Sequence, residues 1–530
     1  MADACTLTTT DWQSDVGRRY VAAAVQTGIG GIVSRVLQGF APIILARYLG
    51  PRNFGVYVLV LSLVGIVAGA SPLGQDAALE KFLPEYSIKN PSRGGAILTN
   101  TVILFSGALA VLCAGFFCAS KWIALSIYHD ASLTSVFKFS ALLVLTLSLF
   151  NLAYSVSAGL QDFKNYSRAM IVRSGALTLF GWLGVMFLGL YGALLGPLAA
   201  SLLGLTLLTI TTLKLSRRRF PGLLRPRFSR DLLQETFGLA LPAFLTGLLV
   251  APAYWWANTL LARSSGFADV AIFGVAFSLT QMIMLVPSNL SIPAVSFLSE
   301  AHSSDNEKRF GSLVGDNFRL MWAITLPTAA GCAVLSTSVI HFLFGAQYER
   351  AGNLVVAMSF AGILMILKSV VINATFGCGH LWHGFLISLS WLILFLVIGD
   401  LLIPKWGSMG LACTFILSYA PVAIAGAVYA ARILGTQFKK IAILLAMNAV
   451  AFVAAITLHH ALHGSQLLAL GCLMTLLLVV AEWTWVCYER ERVEIRNHCL
   501  AILQRPLLRR WVAFRGGTPM AATTAANREC

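Results

Sequence analysis

The sequence predicts an all-α polytopic membrane protein: about fourteen transmembrane helices, arranged as two parallel six-helix bundles facing a central cleft, plus two C-terminal helices. Three observations predict it. Hydrophobic residues are 58% of the 530 and charged residues 11%, with a mean hydropathy of +0.78, far from the composition of a soluble globule. Apolar runs of roughly 20–27 residues recur along the chain, each able to cross a hydrocarbon core about 30 Å thick as a helix; barrel strands would alternate in shorter segments. Residues 39–86 and 255–301 also repeat one punctuation, about 215–219 positions apart. Leu45-Ala46-Arg47, Gly50 and Phe54-Gly55-Val56 answer to Leu261-Ala262-Arg263, Gly266 and Phe273-Gly274-Val275, and Phe82–Glu85 answers to Phe297–Glu300. Later anchors pair Gly159 with Gly377 and Gly192 with Gly407.

After a polar segment, 1–20, the first bundle occupies 21–213. Its runs are 21–46, entered after Arg18-Arg19 and left at Arg47; 55–79, between Arg52 and Lys81; 95–118, between Arg93 and Lys121; 133–158, ending before Lys164; and 166–190 with 191–213, ending at Lys214. A basic linker, 214–235, follows. The second bundle, 236–431, holds 236–262, closed by Arg263; 269–294; 318–345, ending before Arg350; 351–377; 382–404, closed by Lys405; and 407–431, closed by Arg432. Runs 440–460 and 465–487 form two extra helices over 440–487, and 488–530 is a basic tail. Each bundle has an even number of crossings, so the copies are parallel and related by an axis along the membrane normal.

Lys and Arg flank these runs unequally, and positive loops are retained in the cytoplasm. Of 38 such residues, 28 fall on one side, four lie inside runs, and six (Arg47, Arg52, Lys121, Arg263, Arg350 and Lys405) fall on the other side. Both termini are therefore expected to be cytoplasmic. The net charge of +16 calls for no nucleic acid, because dispersed positives beside membrane runs already serve topology and anionic lipid. The first apolar run is long and follows a polar segment, so it is expected to stay in the membrane rather than act as a cleaved signal. Most of the ten cysteines, among them Cys113, Cys332, Cys413 and Cys472, lie in runs. There a thiol packs as a small hydrophobe, and no disulfide framework follows. Pro72, Pro242, Pro252, Pro287, Pro293 and Pro327 interrupt runs as packing kinks or as hinges.

Ile44–Tyr57, then Leu73-Gly74 and Lys81–Tyr86, followed by Phe344–Tyr348 and Ile403–Ala412, resemble in order and spacing the polysaccharide-transporter flippases. These belong to the multidrug/oligosaccharidyl-lipid/polysaccharide exporter superfamily. The resemblance covers about residues 20–435 and extends thinly to 487. It implies a flippase of the bacterial inner membrane, multi-pass and not an enzyme, that moves a polyprenyl-pyrophosphate-linked oligosaccharide for surface polysaccharide synthesis. A proton gradient, a sodium gradient or the membrane potential would drive it, without a bound cofactor. Membrane lipid and the glycosyltransferases or polymerase of the same pathway are the implied partners, and the extra helices would shelter the lipid tail. Many relatives carry an Asp in the seventh run where this chain has Trp256-Ala257-Asn258-Thr259, so no coupling role carries over to that position.

Ionisable residues deep in a membrane run cost about 2.5–3.5 kcal/mol, which makes each a functional candidate. Arg35 and Lys368 lie near the middle of the first and tenth runs, and Arg173 in the inner half of the fifth. Such cations would offset the desolvation of a pyrophosphate, or else snorkel or pair structurally. Asp76, after the Pro72–Gly74 break, could bind a coupling ion or pair with Arg35. Asn258, Gln281, Trp255 and Trp256 offer amides for hydroxyls and rings for the apolar face of a sugar, although such residues also pack helices and belt interfaces. Cys378, His380 and His383 read as a capped turn, lacking a fourth zinc ligand. A multidrug-type exporter is the nearest alternative function. A membrane-embedded polymerase or ligase would need larger outer loops than the longest here, about 119–132, and no P-loop or nucleophile motif stands out.

Overall fold

The computed structural model describes residues 9–220, 250–285, 307–377 and 381–434, with isolated positions between 232 and 298. The described residues are helical and joined by short turns. The helices are α1 Thr9–Ala70, α2 Gln75–Lys89, α3 Pro91–Trp122, α4 Leu133–Gly159, α5 Phe163–Arg219, α6 Val250–Ser265, α7 Phe267–Ile283, α8 Glu307–Val334, α9 Ser336–Leu343, α10 Ala351–Gly377 and α11 Leu381–Leu434. Among the described residues, six stretches are long and apolar enough to cross a membrane, and the bent pair Ile324–Val334 with Ser336–Leu343 makes a seventh. The expected helices over 440–487, the tail 488–530 and the turn at Cys378 and His380 lie outside the described residues.

Three long helices each contain two of the predicted runs. At 1.5 Å per residue the 57 residues of α5 would extend about 85 Å if straight, far beyond one hydrocarbon core. Instead α5 breaks at Gly189 (φ 54°, ψ −126°) and doubles back. Its limbs touch through glycines: a Cβ on Gly196 would come within 2.7 Å of Gly181 Cα, and one on Gly192 would strike the carbonyl of Gly184. α11 breaks in the same way at Gly407 (φ 56°, ψ −132°), and Gly410 lies against Leu402. α1 breaks at Gly50 (φ 70°, ψ 171°), a backbone region open essentially to glycine alone, and Pro51 restarts the helix at a position that needs no N–H.

The repeat is visible in the backbone itself. Gly266 (φ 92°, ψ 170°) follows α6 in the conformation that Gly50 has in α1. Gly407 has the conformation of Gly189, and the Gly410–Leu402 contact stands 218 positions after Gly192–Gly184. This corrects the expected pairing of Gly407 with Gly192, which was off by three residues.

Other boundaries also shift. The second run was expected to continue to 79, but its helix ends at Ala70, since Pro72 brings no N–H and Leu73 and Gly74 both have positive φ (51° and 74°). Asp76 therefore sits in the first turn of a separate helix, α2. The ninth run is two helices meeting at 77° about Leu335, and the eighth breaks at Met284. The basic linker does not begin as a loop: α5 continues to Arg219, where three arginines favour the negative end of the helix dipole.

The apolar exterior is what lipid requires of a membrane helix. Phe187 is 82% and Val111 73% exposed, in contact with no core. Inside, small residues let helices approach. Ser34 Oγ of α1 lies 2.6 Å from Ser174 Oγ of α5, and Thr178 Oγ1 donates to Leu37 O at 2.8 Å.

Candidate functional site

The segments with the motif resemblance form a seal between the two halves of the chain. Pro51 brings no N–H and so leaves the Arg47 carbonyl without its helical donor, and at Gly50 the first limb of α1 ends with the carbonyls of Ala46 and Arg47 turned to the second half. Gln347 Nε2 donates to both, at 3.2 and 3.3 Å, and Tyr348 OH donates to Ala46 O at 3.0 Å. Arg47 in turn donates to the carbonyl of Phe342. The bend at Leu335 and the short 3₁₀ turn Ala346–Tyr348 deliver these side chains. A second strap joins Tyr128, after α3, to α6: its hydroxyl is 2.9 Å from Thr259 Oγ1 and accepts from Trp255 Nε1 at 3.2 Å. In a third contact, a Cβ on Gly55 would strike the carbonyl of Phe267. Nearby, Arg52 and Asp130 pair at 3.3 Å. Ser132 and then Arg52 hold the Asp130 carboxyl below its ordinary range.

Away from this seal, the first half gathers a charged cluster. Arg35 on α1 is exposed and donates to Ser288 Oγ of the second half at 2.6 Å. Arg173 on α5 lies over the Phe150 ring, 4.7 Å from its centroid, and its buried Nε has no hydrogen-bond partner. Tyr154 on α4 and Tyr166 on α5 share a hydrogen bond between hydroxyls, and Tyr154 is within electrostatic reach of Glu80, Arg173 and Arg35. Asp76 and Glu80 stand one turn apart on α2. Loss of hydration, and then the Asp76 carboxylate, raise Glu80 above the usual carboxylate range although its side chain remains exposed.

Lys368 lies apart from this cluster, within the second half. Its side chain is 6% exposed, with Nζ over the Trp391 and Tyr419 rings. Those rings belong to an aromatic core with Tyr254, Phe277, Phe395 and Phe415.

The remaining predicted residues separate. Gln281 is exposed, seven positions after Gly274, which meets Val58 of α1, and seven before Ser288, which meets Arg35. It therefore shares the stripe of α7 turned toward the first half. Trp255 belongs to the seal, Trp256 packs on Gly399 of α11, and Asn258 is buried beside a small cavity. Sequence reading missed Glu80, Tyr154, Tyr166 and Ser288. Glu80 had a signal, its i+4 spacing from Asp76 on one helix face. The others are ordinary polar residues of apolar runs.

A family profile described as "Polysaccharide biosynthesis protein" matches residues 44–353. The chain belongs to the polysaccharide biosynthesis protein family. Among its relatives is the EPS I polysaccharide export inner membrane protein EpsE of Ralstonia solanacearum, 25% identical over 384 residues, covering 69% of this chain and 83% of that one. The uncharacterized membrane protein MJ1068 of Methanocaldococcus jannaschii is 21% identical over 401 residues, 71% of this chain and 77% of its own. The family's fold here is that of solved transporters. The lipid II flippase MurJ in an inward closed conformation superposes with a TM-score of 0.65 at 15% identity, over 90% of this chain and all of that one. An inward-facing multidrug resistance MATE transporter of the MOP superfamily gives 0.63 at 16%, over 77% and 96%.

Proposed function

We propose that the protein is a flippase that moves a polyprenyl-pyrophosphate-linked oligosaccharide from the cytoplasmic to the periplasmic leaflet of the bacterial inner membrane, for surface polysaccharide synthesis. Bundles 21–213 and 236–431 face one cleft and work by alternating access, with 440–487 adding two helices beside the lipid tail. Both termini and the linker 214–235 face the cytoplasm, where glycosyltransferases assemble the substrate, so the Gly50 end faces the periplasm. One observation supports this reading: Arg35 and Arg173, neither ion-paired among the described residues, both act electrostatically on Tyr154 in the part of the seam away from Gly50. Two guanidiniums there suit a diphosphate, which they would bind through charge-assisted hydrogen bonds while it is stripped of water. They would repel the cationic compounds that a drug exporter carries. Gln281, on the facing stripe of α7, together with Asn258, Trp255 and Trp256, contributes to sugar contacts as the seal opens, and Asp76 with Glu80 offers an ion-coupling site.

Arg35→Leu and Arg173→Leu are expected to lower surface polysaccharide at least tenfold at normal protein level, with lipid-linked glycan accumulating in the cytoplasmic leaflet. Wild-type polysaccharide in both variants would sink the reading. A deletion strain that loses drug resistance but keeps its polysaccharide would favour the drug exporter.

A further inference from the structure

The break after α1 brings the two halves together a second time. Leu73 and Gly74 have positive φ (51° and 74°), and Gly74 lies against the residues that lead into the second half. A Cβ on it would strike Ala240 O and stand 2.9 Å from Phe244 Cβ. Leu232, Thr236, Ala240 and Phe244, each helical and four positions apart, share one helix face. Leu232 is buried in an apolar cluster of the first half with Leu79, Leu83 and Ile97. The Gly50 seal is one helical limb away, 51–70, about 30 Å long.

Within this contact lies a cavity of about 10 Å³, lined by Gln75, Ile97, Asn100 and Thr101 of the first half and by Leu232 and Thr236. Gln75 is 2% exposed. Its Oε1 accepts from Thr101 Oγ1 at 3.4 Å, and its buried Nε2 has no hydrogen-bond partner among the described residues. A buried N–H left so bears the full loss of its hydration. Asn100 and Thr236 are buried as well. Thr236 Oγ1 donates to Leu232 O at 3.0 Å, and a hydroxyl that donates can still accept. A water requires about 10–15 Å³ and two to four polar neighbours. Both conditions are met, and the space excludes a phosphate, a sugar or a lipid chain.

We propose that one buried water binds here, accepting from Gln75 Nε2 and donating to Thr236 Oγ1 and the Asn100 side chain. It ties the residues leading into the second half onto the first and makes this contact a joint that stays closed while the Gly50 seal opens. Parting the joint would expose the apolar cluster around Leu232 and strip the water of its partners. Turning about Gly74, which presents no side chain, does neither. That the joint serves transport rests on the flippase reading; the water site itself does not.

The test is X-ray radiolytic labelling of the purified full-length chain in detergent, read by mass spectrometry. X-rays split water where it lies, so a trapped water oxidises the side chains beside it even when bulk solvent does not reach them. Ile97 and Leu232, which line the cavity, should be oxidised at least fivefold faster than Leu79 and Leu83, buried in the same cluster but away from it. Hydroxyl radicals generated in bulk solvent should leave all four untouched. Equal X-ray rates in wild type would overturn the water site. Gln75→Met should bring Ile97 and Leu232 down to the rate of Leu79, with Thr236→Val in its place if that variant does not elute as folded; an unchanged rate would overturn the assigned partners. When Gln347→Ala with Tyr348→Phe weakens the seal, the X-ray rates at Ile97 and Leu232 should hold within twofold. Their oxidation by bulk radicals in that variant would show that the contact parts with the seal, and the joint would fall. If deleting the whole gene leaves export unchanged, the flippase reading fails while the labelling result stands.

Discussion

At the residue scale, Arg35 and Arg173 solve one problem in two ways. Arg173 spreads its guanidinium over Phe150, and Arg35 reaches across the seam to Ser288. Ser288→Ala should free Arg35 and cost less than about 1 kcal/mol of stability, because the bond is exposed, measurable as a slightly lower midpoint in detergent unfolding. Glu80 gives a pH prediction. Its carboxyl is raised in the folded chain, so the folded state holds its proton longer than the unfolded state. Its contribution to stability is therefore lost as pH rises from the unfolded value, about 4.3, through the folded one. Glu80→Gln should be more stable than wild type at pH 7.5, by less than about 1 kcal/mol because the group is exposed, and the gap should close at about pH 4.5; an equal gap at both pH values would contradict it. Charged residues in apolar runs can be read from a sequence, so Arg35, Arg173 and Lys368 were legible. Tyr154, Tyr166 and Ser288 were not, because nothing along the chain says which helices will meet.

At the element scale, the helix breaks set the architecture. The limbs of α5 approach so closely at Gly184 and Gly192 that no side chain fits. Gly192→Val should open the hairpin and cost more than about 2 kcal/mol, read as loss of folded protein on size exclusion. Gly189→Ala should cost about 1–3 kcal/mol through backbone strain alone, since nothing crowds that position. Apolar runs located the helices well, because length and hydropathy are local properties. The run end at 79 was misread although Pro72 and Gly74 mark the break beside Leu73, and the bend inside 318–345 was missed because Leu335 departs from helical geometry without a residue type that announces it.

At the scale of the whole molecule, the seal at the Gly50 end joins the halves by hydrogen bonds to backbone carbonyls and between side chains, and among the described residues no ion pair has to break for it to open. Tyr128→Cys with Thr259→Cys, whose wild-type side chains meet through a full tyrosine ring and so stand beyond direct disulfide range, should be bridged by a bifunctional methanethiosulfonate reagent in a cysteine-free background. Export should stop when the bridge forms and return on reduction; export that persists when cross-linked would show that this strap need not open. Gln347→Ala with Tyr348→Phe should raise labelling of Ser278→Cys, on the α7 stripe, by an impermeant maleimide added from outside. By itself the sequence determined the all-helical membrane class, the repeat, the family motifs and the mid-membrane cations, because hydropathy, spacing and charge are written along the chain. Only the tertiary structure decided that the motifs meet as a seal, that Arg35 and Arg173 share a cluster with Glu80, and that Lys368 sits among aromatic rings. Each of those depends on which helix faces pack together, a choice made by side-chain fit between segments hundreds of residues apart.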